Sequence, residues 1–220
     1  ITSELADYQA ANPDAVVAPF AVNQIVHGSN DRLQHDVELC VKYKVPIVIT
    51  SLRAPNEVVG PIHSYGGLVF HDVINRRHAE KAAEAGVDGI IAVSAGAGGH
   101  AGTVSPFALV QEIRQVFDGT VILAGSISTG AQIAASRLMG ADLAYLGTRF
   151  LATKESMVQA EYKAMVRETH AADIVYTPKV SGVNANFLRP SVEAAGLELA
   201  SDEAHGGLDM ENEAKAWKNV

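Results

Sequence analysis

The sequence has one cysteine, no apolar stretch long enough to span a bilayer and no dense run of basic residues. Each shortage removes a class of protein. Cys40 alone forms no internal disulfide, which fits a reducing compartment, so a cytoplasmic location is expected. A membrane span needs about 18 consecutive apolar residues, and no stretch supplies them. Lysine and arginine number 17 against 25 aspartates and glutamates, for a net charge of −8. No basic patch could neutralise a row of phosphates, so nucleic acid is not an expected partner. The opening ITSELADYQAANPDA has neither the basic start nor the apolar core of a secretory signal. It begins at Ile1 rather than methionine, as a truncated chain or an excised fragment does. No Pro- or Ser-rich linker divides the 220 residues, and one α/β domain is expected.

What is present is a composition that builds a core. With 48% hydrophobic and 19% charged residues and a mean hydropathy of +0.10, the chain is neither a disordered tail nor a collagen-like repeat nor a charged coiled coil. Short apolar runs recur at Val16 to Asn23, Pro46 to Ser51, Gly67 to Asp72, Gly89 to Ser94, Val121 to Ala124 and Leu143 to Gly147. Continuous apolarity without alternation marks parallel strands covered on both faces. Helical spacing fills the gaps: Asn30 to Tyr43 aligns Leu33, Val37, Cys40 and Val41, Asn75 to Ala85 ends at Gly86, and Ser105 to Phe117 opens with Ser-Pro. The phrases AEAGVDGII and SRLMGADLAYL each read as a helix end, a closing glycine and a new strand. One βα unit repeated six times predicts a (β/α) barrel or a doubly wound sheet. After Thr148 the pattern changes, with a predicted helix over Ser156 to Thr169, a strand-like DIVYT and a turn-rich stretch to Leu199. Residues 1–153 are therefore expected to form barrel units and 154–220 an appended helical and irregular segment, with no more than one exposed helix from Ala200 onward.

Parallel α/β folds place ligands at the C-terminal ends of their strands. Those ends are glycine-rich: Ser94-Ala-Gly-Ala-Gly-Gly-His-Ala-Gly102 follows the fourth run, Ala124-Gly-Ser-Ile-Ser-Thr-Gly130 the fifth and Gly147-Thr148 the sixth. Small residues entering helix N-termini leave backbone N–H groups free to face an anion, so the last two loops are candidate phosphate contacts. His100 is the one ionisable group inside a glycine loop, placed to act as a base or a hydrogen-bond donor, or else only to brace the loop. His35, His78, His170 and His205 are expected to be solvated, and His27 and His63 to lie in loops without companion ligands. No metal site is expected, because no second ligand stands at suitable spacing from His100. Arg149 is expected to tie its loop to Glu155 or Asp142.

Several of these segments together resemble the nitronate monooxygenase (2-nitropropane dioxygenase) family of FMN-dependent TIM-barrel enzymes. The resemblance rests on Ala97-Gly-Gly-His-Ala-Gly102, Ser105-Pro-Phe-Ala-Leu-Val110, Ala124-Gly-Ser-Ile127, Gly140-Ala-Asp142 and Gly147-Thr-Arg-Phe-Leu-Ala-Thr153, and it runs from about Val16 to Leu197. It implies that Asn23 contacts the flavin and that Gly98 and Gly99 lie along its ring or ribityl chain. It implies further that Gly125, Ser126, Gly147 and Thr148 hold the FMN phosphate, with His100 as the catalytic histidine. Where some relatives carry a lysine after the third run, this chain has Asp72. The family's barrel has eight strands, so six imply an incomplete barrel with two raw edges. The chain is accordingly expected to be part of a longer product or of an assembly, such as a homo-oligomer, that covers them.

The activity implied by the resemblance is oxidation of alkyl nitronates, or nitroalkanes, by dioxygen to a carbonyl compound and nitrite. The alternatives are an FMN-dependent enoyl-ACP reductase, which shares the Gly-Gly-His loop and the Gly-Thr-Arg-Phe ending, a non-redox barrel that binds a phosphorylated metabolite, and a catalytically inert interaction module.

Overall fold

The computed structural model describes residues 1–180 and 182–196. The expected exposed helix after Ala200, with Trp217 and His205, lies outside the described residues.

In chain order the elements are α1 (Thr2–Ala11), β1 (Ala21–Val26), α2 (Leu33–Lys42), β2 (Ile47–Leu52), α3 (Asn56–His63), β3 (Leu68–Val73), α4 (Arg76–Glu84) and β4 (Gly89–Val93). There follow β5 (Gly99–His100), α5 (Pro106–Arg114), β6 (Thr120–Ala124), α6 (Gly130–Leu138), β7 (Leu143–Tyr145) and α7 (Thr148–Leu151). The chain continues through α8 (Ala160–Glu168), β8 (Ile174–Thr177), β9 (Ala185–Leu188) and α9 (Arg189–Ala194). All six apolar runs are strands, and they pair in parallel in the order β1-β2-β3-β4-β6-β7. Among the described residues, β1 and β7 each pair on one side only, so six units of a (β/α)8 wall stand without closing it. The first run is displaced: the strand begins at Ala21, not Val16, and Asn23 sits in its middle rather than at its end.

Two apolar layers lie on opposite faces of this sheet. Val26, Val48, Val69, Val73, Ile90, Val121 and Leu123 join Leu33, Val37, Leu109 and Ile113 from the helices in one core. Phe70, Ile91, Val93, Ile122 and Ala124 form the other, on the lumen side, with Ile47 and Ile49 packed against them. Register fixes which residues share the lumen. Asn23 pairs with Ile49, Ile49 with Phe70 and Phe70 with Gly89. A Cβ on Gly89 would stand 2.6 Å from the Phe70 ring, so glycine here is what lets the ring lie across the next strand.

Local chemistry explains the helix ends. The Asn75 side chain accepts from the N–H of His78 and caps α4. Gly86 closes the same unit at φ 83, a conformation that favours glycine. Thr129 and Gln132 form a reciprocal capping box at the start of α6. The two Gly-x-Asp returns are one device used twice. The Asp88 N–H donates to Val69 O at 2.9 Å and that of Asp142 to Val121 O at 2.8 Å. The Asp88 carboxylate accepts from Val69 N at 2.8 Å, and the Asp142 carboxylate from Val121 N at 2.8 Å. Each aspartate therefore splices its strand onto the preceding one.

Beyond the sheet, the DIVYT run is β8, and part of the turn-rich stretch is a second strand, β9. They pair antiparallel with each other and, through β9, with β5, forming a three-stranded sheet.

Candidate functional site

Three loops leave the C-terminal ends of β4, β6 and β7, and backbone bonds lock the first two together. Ser94 N donates to Ala124 O at 3.0 Å and Ser126 N to Gly96 O at 3.1 Å, while the Ser94 hydroxyl donates to Ala124 O at 2.8 Å. Gly96 at φ 85, Gly99 at φ 77 and Gly125 at φ 129 occupy the left-handed region, where glycine is at little cost. Ser126 does so at φ 54 with a side chain, the kind of local strain that a surrounding structure must hold in place. The third loop meets the first at Gly98, where an added Cβ would stand 2.7 Å from Thr148 Oγ1. Gly147 lies beside it in open space, with nothing within 4 Å of where its Cβ would be.

Gly98, Gly99, His100, Gly125, Ser126, Gly147 and Thr148 thus come to one rim of the sheet. Asn23 does not join that cluster. It stands on the lumen face of β1, three strands away from β4 in the sheet order. Ser126 is already committed, since its N–H and its hydroxyl, at 3.3 Å, both donate to Gly96 O. In the same way the N–H groups of Ser128 and Thr129 donate to Gln132 Oε1 at 2.8 and 3.0 Å. Backbone at Gly98, Gly99, Gly147 and Thr148 is exposed and free of bulky cover, a cradle that fits a flat or phosphorylated cofactor.

The His100 loop is held by a part of the chain that sequence reasoning missed. Gly99 and His100 pair with Asn186 and Ala185 across β5 and β9. Asn186 Nδ2 donates to Ala97 O at 2.8 Å and the Tyr176 hydroxyl to Ala101 O at 2.9 Å. These bonds bracket His100 on both sides, and no short-range pattern announces them because the partners lie 89 and 75 residues apart.

Two titratable neighbours at the end of β3 face opposite ways. His71 is buried in the helix-side core, 2.8 Å from the Thr50 hydroxyl. Burial, with help from the charge of His78 and against a hydrogen bond to Thr50, lowers its imidazole to about 4. Asp72 faces the lumen, and burial alone raises its carboxyl to about 6.

Other expectations are corrected. His63 is not a loop residue without companions: it ends α3, and its Nε2 lies 2.8 Å from Asp88 Oδ2. His78 is half-buried rather than solvated. Asp142 pairs with Arg114 at 2.6 Å, not with Arg149, and its carboxyl is held low by the Val121 N–H and then by Arg114. No group of three or more potential metal ligands gathers among the described residues. No described helix is long and apolar enough to cross a membrane. A cleft of about 760 Å³ lies between α2 and α3, lined by Leu33, Val37, Val41 and Pro61 among others, and none of the glycine loops reaches it.

The chain is similar in sequence and in fold to known proteins. A (3aS,4S,5R,7aS)-5-hydroxy-7a-methyl-1-oxo-octahydro-1H-indene-4-carboxyl-CoA dehydrogenase of Rhodococcus jostii is 28% identical over 194 residues, covering 84% of this chain and 54% of its own. A nitronate monooxygenase of Paraburkholderia phytofirmans is 31% identical over 156 residues, 67% of this chain and 43% of its own. The chain thus spans about half the length of these curated relatives. The solved structure of FabK from Thermotoga maritima is similar with a TM-score of 0.73 at 27% identity, covering 99% of this chain and 67% of that one. The profile of the nitronate monooxygenase family matches residues 4–216, and the chain belongs to that flavoenzyme family.

Proposed function

We propose that this chain carries the FMN site and the catalytic histidine of an enzyme that oxidises alkyl nitronates with dioxygen to a carbonyl compound and nitrite. The observation that carries the reading is the convergence of three glycine loops on one rim, with His100 presented from the strand-like middle of the first. Bound there, FMN supplies the transfer of electrons from substrate to oxygen. The protein supplies the rest. Exposed backbone at Gly147 and Thr148 meets the phosphate, Gly98 and Gly99 leave room for the flat ring system, and Asn23 faces the lumen from β1. His100 Nε2 or Nδ1 takes the α-proton of a neutral nitroalkane or donates a hydrogen bond to the nitronate anion. The apolar floor of Phe70, Ile91 and Ile122 keeps water from the reacting carbon.

The test begins with colour and with Gly147. Since Gly147 stands in open space at φ −109, a leucine there fits the fold without strain, and weakened FMN binding reports the ligand rather than misfolding. A Gly147→Leu chain that binds FMN as tightly as the parent removes this phosphate contact. A second reading is favoured by the likeness to FabK and to a carboxyl-CoA dehydrogenase: redox chemistry on an acyl thioester with a nicotinamide partner. Turnover with propyl nitronate and oxygen supports the first reading, and NADH consumption that depends on an enoyl thioester supports the second.

A further inference from the structure

The lumen face of the parallel sheet is apolar except at a few positions, and one of these is a carboxyl. Asp72 pairs with Ile91, Ile91 with Ile122 and Ile122 with Leu143, so its row from β4 to β7 is aliphatic. It is the last but one residue of β3, at the end of the strand where the glycine loops gather. Of the groups facing it, β2 offers Ser51 and β4 offers Ile91 and Val93. Across the lumen β7 offers Tyr145, whose hydroxyl is raised by burial and then by the charge of Asp72. His100 stands on the rim loop, while His71 and, behind it, His78 lie on the helix side. Among the described residues no cation and no hydrogen-bond donor reaches the Asp72 carboxyl, and loss of water is the one influence on its titration. A half-buried carboxyl without a partner weakens the fold whenever it is ionised, so packing gives no reason for it. A ligand does.

We propose that Asp72 reads the substrate's charge: in its protonated form it donates a hydrogen bond to an anionic oxygen of the molecule in the lumen, and in its ionised form it repels that molecule. The proposal rests on the nitronate reading for the identity of the substrate and deepens it by naming the group that recognises the anion. A nitronate spreads its charge over a planar pair of oxygens, as a carboxylate does. A carboxyl O–H donated to such an oxygen makes a short, charge-assisted bond. Binding then takes up one proton when Asp72 is ionised beforehand, and affinity falls about tenfold per pH unit above the carboxyl's titration.

Butyrate, an unreactive two-oxygen anion, is the probe. Its binding to the FMN-loaded full chain is read from the flavin absorbance, and proton uptake from calorimetry in two buffers of different ionisation heat. The parent is expected to take up about one proton at pH 7.5 and to weaken roughly tenfold between pH 7 and pH 8. Asp72→Asn, which keeps a donor and cannot ionise, should bind with no such slope and no Asp72-linked proton. Asp72→Leu should bind weakly at every pH. An Asp72→Asn chain with the parent's slope and proton count assigns the linkage to His100 and overturns the proposal. Failure of Asp72→Asn to fold overturns it too, because removing an unpartnered charge should stabilise the chain. If the chain takes up no FMN, the flavin reading fails by itself. The same calorimetry on the flavin-free chain then decides about Asp72: butyrate binding with proton uptake that Asp72→Asn abolishes supports the proposal, and its absence overturns it.

Discussion

The parallel sheet and the small antiparallel sheet divide the work of the site between them. In the first, each strand lies beside one that precedes or follows it by a single βα unit, both faces are packed, and rigidity comes from apolar burial. In the second, two residues of the His100 loop are caught by a hairpin from much later in the chain, Thr177 and Ala185 are the only buried residues of its two strands, and order comes from hydrogen bonds. The difference teaches that the scaffold and the aim of the His100 loop are separable. Damage to the sheet should unfold the chain, whereas damage to the hairpin should leave a folded protein whose histidine is poorly placed.

The largest effect tests the loop itself. His100→Asn should keep bound FMN and lose about 10²- to 10⁴-fold in turnover of neutral nitroalkane. Preformed nitronate then sharpens the role, since recovery on it marks a base and equal loss marks an anion contact. Unchanged rates on both substrates would reduce His100 to a brace.

Next comes the sheet. Ile90, fully buried between the helices and β4's neighbours, should cost about 2–5 kcal/mol as Ile90→Ala, measured by urea unfolding. A loss that small surface substitutions also produce would mean the sheet is not the stable half.

A third prediction concerns pH and the same core. The folded His71 sits near 4 against an ordinary 6.5, so between these values the unfolded chain binds more protons. Stability is therefore retained above about pH 6.5 and lost as pH falls toward 4, by roughly 3 kcal/mol from this residue. A His71→Gln chain should show a flatter pH dependence than the parent, and equal slopes would reject the assignment.

The smallest change in stability belongs to the hairpin. Tyr176→Phe and Asn186→Ala each remove one hydrogen bond to the loop and should cost only about 1 kcal/mol in unfolding. Their signature is kinetic: kcat falls, on the order of tenfold, while FMN affinity and KM hold, and amide exchange at Gly99 and His100 quickens. If KM or FMN affinity moves with kcat, the two sheets are not separable in the way described.

Much of this arrangement was legible along the chain. Six apolar runs foretold six parallel strands because two covered faces leave no polar alternation, and Asn75 and Gly86 mark helix ends through short-range bonds that local sequence specifies. The first run was misplaced because Val16, apolar by type, is 97% exposed, and apolarity alone does not show where pairing starts. The glycine loops and His100 were visible as composition, since only small residues let backbone approach a ligand. Tertiary structure alone decided the rest. It placed Asn23 away from the loops, gave Asp142 to Arg114, spent the Ser126 N–H on Gly96, and brought Tyr176 and Asn186 around His100. The physical reason is the same in each case: strands and caps follow from contacts a few residues apart, whereas the partner of a polar group depends on which distant segments the folded chain brings within hydrogen-bond reach.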